Sequence, residues 1–157
     1  MKEGLIMIAK DIMTRDVIVA KPHDKLEKIA EILVDNKFSG VPVVDDNFHV
    51  VGVITERDLM IRAQDLKIPF YVTIFDSIIF LENPIKFKDE IKKHTAVEVQ
   101  DVMTKKVISV EEDVDISEIV DLMTRKNINR VPVLRHGKLV GIITRNDILK
   151  ALVKHDA

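Results

Sequence analysis

The chain repeats itself. Asp11-Ile12-Met13-Thr14 returns as Asp101-Val102-Met103-Thr104, ninety residues later. Val17-Ile18 returns as Val107-Ile108, and Val41-Pro42-Val43 as Val131-Pro132-Val133, at the same offset. Gly52-Val53-Ile54-Thr55 and Asp58 return as Gly141-Ile142-Ile143-Thr144 and Asp147, at an offset of 89. The lost residue falls between the Val-Pro-Val and the glycine, where a hairpin turn absorbs a deletion and a helix interior does not. A fixed internal period dictates architecture before any local propensity does, so the chain holds two copies of one unit of roughly 55 residues.

Both copies read in the same order. A β-branched strand comes first, Val17-Ile18-Val19 and Val107-Ile108-Ser109. A helix follows, with Leu26, Ile29, Ala30, Leu33 and Val34 at helical spacing in one copy and Ile116, Ile119, Val120 and Met123 in the other. Asp24 with Glu27, and Asp115 with Glu118, have capping-box spacing. Two strands come next, Val41 to Val44 and Val50 to Ile54, joined by Asp45-Asp46-Asn47. Their counterparts are Val131 to Leu134 and Leu139 to Ile143, joined around His136-Gly137. A second helix starts at Thr55 or Thr144. Each unit is therefore β-α-β-β-α, and the fold class is α/β. One unit of this size cannot bury its own sheet. Two units stacked about a pseudo-twofold axis can, with a cleft on each side. The expected boundaries are 9–66 and 99–155 for the units and 67–98 for an insert.

The insert region, about Gln64 to Val99, holds five of the seven aromatics: Phe70, Tyr71, Phe75, Phe80 and Phe87. Asn83-Pro84 is a helix start, and Ile85, Phe87, Lys88, Ile91 and Lys92 suit a short amphipathic helix. Two readings stand: a lid packed on the core, or a homo-oligomer interface. Either one buries Phe70, Phe75, Ile79 and Phe80.

Several chemistries are disfavoured. The net charge of −2 gives no basic bias toward nucleic acid or anionic membrane. Cysteine is absent, which excludes disulfides and thiolate sites and fits a reducing cytosol. Leu5 to Ala9 is too short for a signal segment, and Ile68 to Leu81 is interrupted by Asp76 and Ser77. A cytoplasmic protein is expected. There is no G-x-S-x-G, no Walker A loop and no G-x-G-x-x-G. The five histidines never fall at a metal-ligand spacing. No catalytic residue, metal or required cofactor is expected.

What stands out is G-x-x-T-x-x-D, present twice, from Gly52 to Asp58 and from Gly141 to Asp147. One reading is structural: the threonine caps a helix and the aspartate favours its positive end. The other is functional. An acceptor-only carboxylate suits two vicinal hydroxyls such as those of a ribose, and a helix N-terminus suits a phosphate or sugar oxygen.

The paired D-[IV]-M-T starts, the V-P-V strands and the G-[VI]-I-T-x-x-D turns resemble a tandem pair of cystathionine-beta-synthase (CBS) domains, a Bateman module, over roughly residues 9–66 and 99–155. The resemblance implies a regulatory module that binds AMP, ADP, ATP or S-adenosylmethionine in clefts between the repeats. At the first site it implies Asp147 on the ribose, Thr144 and Asn146 in the same turn, and Ile142 flanking the adenine. The backbone of Ile18 reads the adenine edge with Thr14 nearby, Phe38, Ser39 and Gly40 line the pocket, and Arg130 meets a phosphate. The second site takes Asp58, Thr55, Val53, Ile108, Thr104, Ile128 and Asn129. There Gly40 stands where the first has Arg130, and Arg57 is the substitute charge. The resemblance also implies a homodimer formed through helical faces and a regulated enzyme or transporter as partner. No nucleic acid or membrane is implied, and no enzyme activity of its own. Two other readings remain open: a ligand-free protein-interaction module, and a sensor of an S-adenosylmethionine-type ligand.

Overall fold

Val-Pro-Val forms the buried strand of each repeat, because a strand covered on both faces reads as a continuous apolar run. The computed structural model describes residues 6–65 and 97–155. Its elements are α1 (Ala9–Ile12), α2 (Leu26–Asn36), β1 (Gly40–Val44), β2 (Val50–Thr55) and α3 (Glu56–Asp65) from the first repeat. The second contributes α4 (Val99–Val102), β3 (Val110–Glu111), α5 (Ile116–Lys126), β4 (Arg130–Arg135), β5 (Lys138–Thr144) and α6 (Arg145–His155). β1 pairs with β2 in one sheet, and the other has the order β3-β4-β5. In the latter, β3 runs parallel to β4 and β4 antiparallel to β5, with a register shift between Val133 and Leu134.

The described residues cluster into two compact units, and neither is a sequence half. The first unit joins residues up to Ile18 and Asp46–Val50 to Val107 onward. The second joins Val19–Asp45 to the stretch from Val51 to Lys106. Each unit therefore combines the D-[IV]-M-T segment of one repeat with the hairpin and final helix of the other. The first unit packs Ala9 and Met13 with Ile119, Met123, Val131, Val133, Ile143 and Ile148. The second packs Val99 with Ala20, Leu26, Ile29, Leu33, Val41, Val43 and Ile54.

Several local expectations are corrected. Val17-Ile18-Val19 and Val107-Ile108-Ser109 are not strands. In the first repeat only Ala20 bridges to Val43, and in the second pairing begins at Val110. The N–H that would carry each ladder further toward the N-terminus belongs to Pro42 or Pro132, and proline has none. Asp115 does cap α5, but through the N–H of Ser117 at 2.7 Å. Asp24 is not the N-cap of α2; Lys25 is, without a side-chain bond. The Asp24 carboxylate instead accepts from the Lys21 N–H and from Lys28 Nζ, each at 2.8 Å. The short helices α1 and α4 are additions to the expected order. Asp11 and Asp101 close their first turns by accepting the N–H of Ile8 and of Glu98. The insert readings, including Phe70, Phe75, Ile79, Phe80 and the helix at Asn83-Pro84, lie outside the described residues. Among the described residues no helix is long and apolar enough to cross a membrane.

Asp24 carries a testable pH dependence. Burial alone raises its pKa, but the bonds from Lys28 and Lys21 outweigh burial and hold it below 3.8. A depressed folded-state pKa stabilises the fold above the unfolded value, and that stability is lost as pH falls through the folded one. Asp24→Asn is therefore expected to flatten the acid limb of the stability–pH curve below about pH 4. Superimposable acid limbs for the two proteins would refute this.

Candidate functional site

The two motifs that repeat in the sequence meet in space. In the first unit the N–H of Thr14 donates to the carbonyl of Ile142, and the N–H of Ile142 donates back to the carbonyl of Thr14, both at 2.9 Å. In the second unit Thr104 and Val53 exchange the same two bonds, also at 2.9 Å. The glycine of each G-x-x-T-x-x-D makes this approach feasible. A Cβ on Gly141 would overlap the sulfur of Met13, and one on Gly52 would overlap the sulfur of Met103.

Beyond each glycine the chain turns from strand to helix. Asp147 Oδ2 accepts from the N–H of Thr144 at 2.8 Å and from its hydroxyl at 2.9 Å. The N–H of Asp147 donates to the Thr144 hydroxyl at 3.4 Å. Asp58 and Thr55 repeat the pattern at 2.8, 2.8 and 3.3 Å. The structural reading is thus correct: threonine and aspartate cap each other reciprocally. It uses only one carboxylate oxygen. Among the described residues, Oδ1 of Asp147 and of Asp58 accepts no hydrogen bond, and both side chains are half-buried. A carboxylate whose orientation is locked by one oxygen presents the other as a fixed acceptor.

Neighbouring groups are held from the same turn. The N–H of Arg145 donates to the Asn129 carbonyl and that of Glu56 to the Ser39 carbonyl, each at 2.9 Å. Arg130 lies opposite Thr144 in the sheet register and donates from Nε to Asn129 Oδ1 at 3.2 Å. Gly40 has no room for a side chain: a Cβ there would lie 2.9 Å from the Ile54 carbonyl oxygen and 3.0 Å from Thr55 Cγ2. Arg57 and Asn146 are exposed in the first turns of α3 and α6. Ile18 and Phe38 are exposed, and Ile128 is half-buried.

The residues anticipated for each site divide between the units. Thr14, Ile18, Arg130, Ile142, Thr144, Asn146 and Asp147 lie in the first, while Phe38, Ser39 and Gly40 lie in the second. Thr104, Val53, Thr55, Arg57 and Asp58 lie in the second unit, while Ile108, Ile128 and Asn129 lie in the first. Sequence reasoning missed Met13 and Met103, which underlie both turns. The signal was their matching place in the two repeats, one residue before the threonine that bonds to the opposite turn.

The family model for the CBS domain matches residues 9–65 and again 99–154. The uncharacterized protein MJ1426 of Methanocaldococcus jannaschii is 33% identical over 158 aligned positions, covering 96% of this chain and 94% of that one. The crystal structure of CBSX2 in complex with AMP is 26% identical with a TM-score of 0.73, covering 96% of this chain and 98% of that chain. The CBS domain of a CBS domain-containing membrane protein from Sphaerobacter thermophilus is 31% identical with a TM-score of 0.72, covering 92% and 87%. With two family matches, one on each repeat, and CBS-pair proteins sharing its fold, the chain belongs to the CBS domain family.

Proposed function

We propose that the chain is a regulatory, non-catalytic module that binds AMP, ADP or ATP through the Asp147 and Asp58 turns and signals occupancy to a partner enzyme or transporter. The observation that carries this reading is the paired, half-buried carboxylate with one oxygen pinned to its own helix and the other unpartnered. Two hydroxyls of a ribose are the complement of such an oxygen, and the adjoining helix N-terminus favours a phosphate. The similarity to CBSX2, solved with AMP, points to the same ligand class. Asymmetry follows from Arg130 and Gly40: an arginine pairs with phosphate bidentately, whereas glycine offers only its backbone. The site holding Arg130 is expected to prefer AMP over adenosine more strongly, and Arg57 is the charge available to the other. Calorimetric titration with adenosine, AMP, ADP and ATP tests the reading. Saturable binding of the nucleotides is expected. No heat with any of them would favour the ligand-free interaction module, and heat with S-adenosylmethionine alone would favour that sensor instead.

We also propose a cytoplasmic homodimer. The cysteine-free, charge-balanced composition is what supports the location. Dimerisation is supported by exposed apolar side chains on the helices of each unit, Val34, Met60 and Ile61 in one and Leu149, Leu152 and Val153 in the other. In the first unit a groove of about 320 Å³ beside Val120, Met123 and Ile148 adds to its apolar surface. Sedimentation is expected to give twice the 17.9 kDa chain mass, and a monomer at all concentrations would refute the dimer.

A further inference from the structure

The proline of each Val-Pro-Val lies where a strand would otherwise continue. In the first repeat the N–H of Ala20 donates to the Pro42 carbonyl at 2.9 Å, and the N–H of Val44 donates to the Ala20 carbonyl at 3.0 Å. A parallel ladder repeats this pattern every second residue. The next donor on β1 toward the N-terminus would be the N–H of residue 42. That residue is proline and has none.

The second repeat shows the same arrangement inside one unit. Val110 pairs with Val133, and the N–H of Glu112 donates to the carbonyl of Leu134. Two residues before Val110, the carbonyl of Ile108 would need the N–H of residue 132, which is again proline. The face of Pro132 is fixed by the other side of its strand. Its partner on β5 is Ile142, and Ile142 sends both its N–H and its carbonyl to Thr14. Pro132 and Ile142 are therefore a non-hydrogen-bonded pair, and the Pro132 nitrogen faces the β3 side. Among the described residues neither the N–H nor the carbonyl of Ile108 has a partner, and the residue is only half-buried. Unpaired backbone groups of this kind are available to a ligand.

We propose that Pro132 is a positioning residue that keeps the carbonyl of Ile108 unpaired, so that the Ile108 backbone reads the edge of an adenine. The inference rests on the nucleotide-binding reading above. An extended residue presents its N–H and carbonyl in the same direction, one donor and one acceptor. Adenine matches them with its ring N1 as acceptor and its 6-amino group as donor. Hypoxanthine reverses both groups, so the pair rejects it. An N–H at position 132 would occupy the Ile108 carbonyl and remove that discrimination.

The test is Pro132→Ala, read by two independent measurements. The first is the ratio of AMP to IMP affinity at the site that loses binding. It is on the order of tenfold or more in the wild type, as expected for a lost hydrogen bond and a reversed one, and falls toward unity in the variant. The second is hydrogen exchange at the backbone amide that the substitution creates at position 132, which becomes slow if it bonds to Ile108. Pro132 is buried, so a cavity alone could perturb the protein. A control places lactic acid at position 132, giving an ester that shares the cavity but has no N–H. It is expected to restore the AMP preference. Fast exchange at the new amide, or an unchanged AMP-to-IMP ratio in Pro132→Ala, overturns the proposal and leaves the nucleotide reading standing. An ester that behaves like Pro132→Ala assigns the effect to shape and also overturns it. A wild type that binds no adenine nucleotide overturns the functional reading itself.

Discussion

Asp147→Ala is expected to weaken the proposed adenine-nucleotide binding by about 1.5–3 kcal/mol, the loss that follows when hydrogen bonds to a charged acceptor disappear. The geometry adds a second loss. Because Oδ2 caps the N–H and hydroxyl of Thr144, the same change lowers fold stability by about 0.5–2 kcal/mol. The residue is therefore not a free surface carboxylate, and an alanine alone mixes two effects. Asp147→Asn separates them, since the amide oxygen still accepts from Thr144 while the charge is gone. The expected result is near-native melting with weakened nucleotide binding, together with poor binding of a 2′,3′-dideoxy nucleotide to the wild type. Wild-type affinity in folded Asp147→Asn and Asp147→Ala would remove the aspartate from the site. The equivalent changes at Asp58 are expected to act on the second site in the same way.

Gly141→Ala is expected to cost about 1–3 kcal/mol of stability, the usual range for overpacking. The new methyl group meets the Met13 side chain along much of its length, at 2.8 Å from Cγ and 3.1 Å from Cβ. Met13 cannot simply swing away, because it is part of the first unit's core. Met13→Ala alone costs about 2–5 kcal/mol through the cavity it leaves. In the double variant each change relieves the other, so the pair is less destabilised than the sum by roughly 0.5–3 kcal/mol. Strict additivity in denaturant unfolding would show that the glycine is not there to admit Met13. Because Met13 adjoins Thr14, Gly141→Ala is also expected to weaken nucleotide binding.

Repetition determined most of the architecture. Val-Pro-Val and G-x-x-T-x-x-D recur at nearly one offset, and a recurring pattern of apolar positions constrains strands and helices wherever it occurs. The spacing of Leu26, Ile29 and Leu33 located α2, and the Thr-x-x-Asp spacing located both the turn and its carboxylate. The capping role of that carboxylate was legible too, and the proposed ligand role demands the same residue types.

Only the tertiary structure decided how the pieces combine. No local pattern says that Met13 packs under Gly141 of the other repeat, because that contact joins segments far apart in the chain and depends on close packing. Nor does β-propensity show that Val107-Ile108 stays unpaired: the residues favour a strand, and the missing N–H that prevents one lies on Pro132 of the neighbouring strand. Likewise, that one oxygen of Asp147 is consumed and the other left open follows from bond geometry alone. Sequence carries residue types and their period. Which lone pairs and N–H groups remain unpaired is settled only when the segments meet.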